Sequence, residues 1–249
     1  MIRREKLHAL ILSRRNVGEA DRLLTLLTRD YGLLKVVAKG VRKIPSRRGS
    51  HLEPFTHVLA IVAGSAHRYF LAGIETVNEY VDLRQHHVAL AQAHNLAQIT
   101  MSLFEEEQPQ PTVFDALHHA WDVLPTIVTP RQRILEAAVM LHTLHQAGWL
   151  PDLTACHRCG ITQPTVAVIF DSGEGGWRCL SCHASFAGTT TSLSPRLLKA
   201  IRFIARYPER ALQLKVGDEE SWQIIAALRH YVGGVIGQPL LYQEQRSRV

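Results

Sequence analysis

Residues 21–39 read DRLLTLLTRDYGLLKVVAK, two apolar runs on either side of Arg29-Asp30-Tyr31-Gly32. Each run is short and rich in Leu and Val, and the four residues between them are turn formers, which predicts strands over 21–28 and 33–39. Working outward, residues 6–12, 55–63 and 68–77 have the same character. They are separated by Arg15-Asn16-Val17-Gly18, by a loop over 40–54 and by Gly64-Ser65. Five short strands within the first 80 residues suit a small closed barrel such as the OB-fold. A small sandwich or an SH3-like barrel would carry the same pattern.

Beyond the strands the period changes. Leu96, Ile99 and Leu103 fall at helical spacing within 85–107, and Pro111 opens a second helix with Phe114, Leu117, Trp121 and Leu124 on one face. A third helix is expected to start with Thr129 as N-cap, Pro130 at the first position and Gln132 completing a capping box, and to stop at Gly148. Helices resume at Ser194-Pro195, with Leu197, Ile201 and Ile204 in register, and a last one carries Trp222, Ile225, Leu228 and Val232. The fold class is therefore α+β. The expected division is an OB-fold barrel over residues 1–80, a helical domain over 81–152 and 191–249, and an insertion over 153–190.

That insertion holds all four cysteines, as Cys156-His157-Arg158-Cys159 and Cys179-Leu180-Ser181-Cys182. Two residues between thiolates let a tight turn aim both sulfurs at one ion, and the loop between the pairs is of zinc-ribbon length. Residues 166–170 and 177–178 can form a hairpin that joins the pairs. Cys156, Cys159, Cys179 and Cys182 are the expected ligands of a structural Zn2+. His157 and His183 could each replace a neighbour, but four thiolates need no substitute and leave no open position for substrate. Disulfides are the alternative, disfavoured where no secretory signal is read.

The chain has 249 residues and a formal net charge of +6. Residues 1–50 hold 13 Lys or Arg against 4 Asp or Glu, so the basicity is read as belonging to that segment. Within it, alternation puts Lys35 and Lys39 on the outer face of the third strand, and Arg42, Lys43, Arg47 and Arg48 continue the charge into the loop. Arg14 and Arg15, in the first turn, extend the patch. Cations at strand spacing suit phosphates, with binding driven by counterion release and little sequence preference. A solvated surface face is the plainer explanation. Local aromatics are few (Tyr31, Phe55, Tyr69 and Phe70), and Phe55 and Phe70 read as core, so strong base stacking is not expected.

No apolar run near the N-terminus approaches the length of a signal peptide or a membrane span, and a cytoplasmic protein is expected. Glu105-Glu106-Glu107 reads as a charge run at a helix end. The pairs His86-His87 and His118-His119 diverge on a helix and do not share an ion. No catalytic constellation emerges, so an enzyme such as a nuclease is disfavoured.

Ser13-Arg14-Arg15-Asn16-Val17-Gly18-Glu19-Ala20-Asp21-Arg22, Leu27-Thr28-Arg29-Asp30-Tyr31-Gly32, Ala38-Lys39-Gly40-Val41-Arg42, Leu52-Glu53-Pro54-Phe55 and Leu144-His145-Gln146-Ala147-Gly148-Trp149-Leu150-Pro151, taken in order, resemble the RecO family of bacterial recombination and repair mediators. The resemblance spans essentially the whole chain. It implies an N-terminal OB-fold, a helical domain and a zinc module. It further implies binding to single- and double-stranded DNA, annealing of complementary strands, and, with the partner RecR, loading of RecA onto strands coated by single-stranded DNA-binding protein. A cytoplasmic, nucleoid-associated and non-enzymatic role follows from it. Lys35 and Lys39 occupy the family's basic strand positions. The competing assignment is a zinc-ribbon module of transcription or translation that binds RNA or protein.

Overall fold

A computed structural model describes residues 4–42, 52–65, 68–182 and 192–240. By contact density the chain divides into two compact units, Met1–Pro125 and Thr126–Val249.

The first unit is built on five strands: β1 (Arg4–Val17), β2 (Asp21–Thr28), β3 (Gly32–Ala38), β4 (His57–Ser65) and β5 (Arg68–Asn78). They close into a barrel in the order β1-β2-β3-β5-β4, all neighbours antiparallel except β3 and β5. This is the OB-like barrel expected. β1 closes it by serving two partners, β4 along residues 4–10 and β2 along 9–17. The register shift between Ile11 and Ser13 supplies the bend such a strand needs. Every second residue points inward: Leu7, Ala9 and Ile11 from β1, Leu24 and Leu26 from β2, Leu34, Val36 and Ala38 from β3 fill the barrel with Val58, Ala60, Val62, Tyr69 and Leu71.

Three helices complete this unit: α1 (Val81–Gln85), α2 (His87–Leu103) and α3 (Pro111–Val123). The single helix expected over 85–107 begins instead at His86, which ends α1 and caps α2 by accepting from the Ala89 amide (3.3 Å). The segmentation expected from the sequence followed changes in secondary-structure type. Contact density divides the chain after Pro125, so α1–α3 stand in the unit that holds the barrel.

The second unit holds α4 (Thr129–Gln146), β6 (Val168–Asp171), β7 (Gly176–Cys179), β8 (Ser192–Leu193), α5 (Pro195–Arg206) and α6 (Asp218–Val235). α4 packs on α6, and across that contact Arg229 makes a two-pronged pair with Glu136 (3.0 and 2.7 Å), whose side chain is fully buried. α5 starts as expected, with Ser194 accepting from the Leu197 amide and Pro195 at the first position. α4 does not: Val128 occupies its N-cap, no side chain caps it, and Thr129 is already helical. α4 stops just before Gly148, as expected, with Ala147 as C-cap and the amides of Gly148 and Trp149 bonding back to the carbonyls of His145 and Leu144. β6 and β7 form the predicted hairpin, and β8 adds a third strand beside β6. No helix among the described residues is long and apolar enough to cross a membrane.

Candidate nucleic-acid interface and candidate metal centre

β3 alternates as its sequence requires: Lys35 and Lys39 are exposed, while Val36 and Ala38 are buried. Register extends this outer face sideways. Thr25 on β2 lies opposite Lys35, Leu23 opposite Val37, and Arg15 on β1 opposite Leu23. Arg42 joins the β1–β2 turn, its amide bonding to Ala20 O (3.0 Å) and its guanidinium to Gly18 O (3.1 Å). Asp21 caps the approach by accepting from the Gly40 amide (2.7 Å).

The expected cations do not all stand free. Arg14 pairs with Glu53, and Lys35 pairs with Glu106 at 2.5 Å. Among the described residues, Arg15, Lys39 and Arg42 are exposed and have no carboxylate partner. Lys43, Arg47 and Arg48 lie outside the described residues. Glu106 reaches Lys35 because the segment after α2 runs along β3: Leu33 and Glu106 form a parallel bridge, and the Glu107 amide bonds to Leu33 O (3.0 Å). Gly32 makes this approach possible, since a Cβ there would stand 1.8 Å from Gln108 O. Glu107 meanwhile accepts from the Tyr69 hydroxyl (2.7 Å). The acidic run is therefore a docked strap, where a solvated helix end was expected.

Phe70 also departs from expectation. Tyr69 and Leu71 point into the barrel, so Phe70 points out, 39% exposed, with Lys39 Nζ 4.5 Å from its ring centroid. Phe55, by contrast, is core at 3% exposure, edge-on to Trp121 and His94. Positive charge also collects outside the first 50 residues, which corrects the reading of a single basic segment. Arg196, Lys199, Arg202, Arg206 and Arg210 lie on or just after α5, and Arg210 stands over both Phe203 (5.8 Å) and Tyr207 (5.6 Å). Acidic residues elsewhere hid this cluster from a count over the remaining sequence.

In the second unit the hairpin carries Cys179 to Cys156. The His157 amide bonds to Trp177 O (3.1 Å), and the Cys179 amide lies 3.4 Å from Cys156 Sγ. Gly160, at φ 73°, closes the first turn with its amide on Cys156 O (2.8 Å). The sulfurs of Cys156, Cys159, Cys179 and Cys182 all lie within 4.8 Å of one another. Cys179 Sγ is 3.8 Å from Cys156 Sγ and 3.7 Å from Cys159 Sγ. A disulfide needs about 2.05 Å, whereas a tetrahedral centre with metal–sulfur bonds of about 2.3 Å has edges near 3.8 Å. The four cysteines thus fit a metal ion. Burial opposes ionisation of Cys156, but amides of Cys159, Cys179 and Arg158 outweigh it and bring the thiol down to about 6. His157 turns instead toward Asp152 (3.8 Å), and His183 is outside the described residues.

Arg202 is a residue the sequence did not single out. From α5 it donates to the carbonyls of Leu153 (2.6 Å), Thr154 (2.9 Å) and Thr162 (2.9 Å), bracketing the first cysteine pair, and it lies over Trp177.

A family profile described as Recombination protein O N terminal matches residues 1–80, and one described as Recombination protein O C terminal matches residues 84–241. DNA repair protein RecO of Anaeromyxobacter dehalogenans (strain 2CP-1 / ATCC BAA-258) is 31% identical over 236 residues, covering 92% of both chains. DNA repair protein RecO of Anaeromyxobacter sp. (strain K) matches to the same extent. DNA repair protein RecO of Anaeromyxobacter dehalogenans (strain 2CP-C) is 32% identical over 239 residues, again over 92% of both.

Proposed function

The chain belongs to the RecO family of DNA repair proteins, and from that premise we propose that it binds single- and double-stranded DNA on the outer wall of its barrel without catalysing a reaction. The observation that carries this is the set of exposed cations Arg15, Lys39 and Arg42, placed on one side of the barrel and among the described residues unneutralised. Contacts of this kind hold the backbone and leave base edges unread. Strands held that way remain able to pair, which is the requirement for annealing. On this reading the protein anneals complementary strands and, with RecR, helps load RecA onto DNA coated by single-stranded DNA-binding protein, in the cytoplasm at the nucleoid.

The metal is read as Zn2+, with Cys156, Cys159, Cys179 and Cys182 as ligands. With four protein thiolates it would hold the two turns of the 153–190 module together and supply no catalytic position. Membership in a DNA repair family sets aside the zinc module of transcription or translation.

Fluorescence anisotropy of labelled single- and double-stranded oligonucleotides, across a salt series, tests the DNA reading. Lys39→Glu combined with Arg42→Glu should weaken binding to both by at least tenfold. The log–log salt slope should flatten by about 0.9 per lost contact on duplex and about 0.7 on single strands. A folded double variant that binds like the parent would sink the proposal. Lys35→Glu is a poor probe, because it would set a carboxylate against Glu106 and disturb the strap.

A further inference from the structure

We propose that the outward row Leu23–Val37–Phe70 is a base-stacking platform, with Phe70 as the residue that makes the barrel wall prefer single-stranded to duplex DNA. This rests on the reading that the wall binds DNA, and adds what part of the DNA it touches.

The row is set by pairing. Leu23 on β2 lies opposite Val37 on β3, and Val37 lies beside Phe70 on β5. None of the three is a core residue of the barrel, and Phe70 leaves 39% of its surface in water. Leaving a phenyl ring outside forfeits favourable burial, and the barrel already has Tyr69 and Leu71 from the same strand for its interior. Cations stand around the row. Arg15 is opposite Leu23, Lys39 lies over Phe70, and the exposed Arg68 flanks Phe70 one step along β5.

An apolar, aromatic stripe between cations fits one ligand chemistry. Phosphates take the flanking charges while the flat face of a base lies on the ring. An unpaired strand can turn its bases out to such a surface. A duplex cannot, because its bases are already stacked and paired. Lys39 connects the two contacts: its ammonium rests over the ring in the free protein and moves to a phosphate when a base takes its place.

The full-length chain tests this with oligo-dT and a duplex of mixed sequence, read by anisotropy. Phe70→Ala should weaken oligo-dT binding about 5- to 150-fold, the range of one stacked base. Duplex binding should stay within twofold, and the salt slope should not change, because stacking releases no counterions. Phe70→Trp should keep the affinity and add fluorescence quenching by oligo-dT beyond that of the native tryptophans. Phe70→Leu keeps apolar bulk without a π face; it should lose oligo-dT affinity even if Phe70→Ala fails to fold. If all three variants bind both ligands like the parent while Lys39→Glu with Arg42→Glu loses both, the platform is wrong and the DNA-binding wall stands. If the charge variant also binds normally, both are wrong. Equal losses on oligo-dT and duplex would overturn the single-strand preference.

Discussion

Glu106 holds Lys35 at 2.5 Å on the surface where DNA is proposed to bind, so one residue sets part of the charge that face presents. A partly exposed pair of this kind stabilises by about 1 kcal/mol or less. Glu106→Gln should therefore leave thermal stability almost unchanged. It should raise DNA affinity a few-fold at low salt and steepen the salt slope by about 0.7–0.9, as Lys35 becomes available. Unchanged affinity and slope in an anisotropy titration would show that Lys35 takes no part. His57 carries a different single-residue effect. Its ring is only 7% exposed, 3.1 Å from His8 on β1 and edge-on to His118 on α3, which itself pairs with Asp122 (3.6 Å). Burial, then repulsion from His118 and His8, lowers its pKa from 6.5 to about 4. Between about pH 6.5 and 4 the folded state therefore holds fewer protons than the unfolded chain. Stability is full above pH 6.5 and falls as pH drops toward 4, by on the order of 3 kcal/mol. Melting followed by circular dichroism should show a lower Tm at pH 5 than at pH 7.5, and His57→Phe should reduce that difference. An equal pH dependence in the variant would rule His57 out as the cause.

At the scale of elements, the β6–β7 hairpin and the turns beside it form one unit with their four sulfurs. Cys179→Ser removes the thiol that lies 3.8 Å from Cys156 Sγ and 3.7 Å from Cys159 Sγ. It should lower bound zinc, measured by atomic absorption, and speed amide exchange over 153–182 while β1–β5 stay protected. Arg202→Ala keeps every thiol yet leaves three carbonyls without their charged donor, so exchange over 153–162 should rise with zinc content largely retained. Full protection in both variants would mean that neither the metal nor the clamp holds the module. The ligand set was legible because two C-x2-C turns are local signals with one chemical meaning. Arg202 was not, because nothing in an amphipathic helix marks which of its cations faces a carbonyl 40 or more residues away in sequence. Capping shows the same contrast. Ser194-Pro195 performs the role its pattern announces, whereas Thr129-Pro130 is shifted by one residue because Val128 takes the boundary with extended backbone.

For the molecule as a whole, the barrel followed from period-2 runs and turn residues, and the family from an ordered set of short segments running from Ser13 to Pro151. Alternation in Lys35-Val36-Val37-Ala38-Lys39 also settled which face of β3 meets water, because charge and small apolar residues cannot exchange places there. Tyr69-Phe70-Leu71 offered no such contrast: three apolar residues in a row satisfy either face, and only closure of β5 against β3 and β4 turned Phe70 outward. Lys35 meeting Glu106, His57 buried beside His8 and His118, and Arg202 gripping the cysteine turns each join residues at least 40 positions apart. Periodicity and spacing are short-range properties and determined the elements and the thiolate set. Contacts between distant segments depend on how those elements close and dock, and that decided which charges are neutralised and which aromatic ring is left for a ligand.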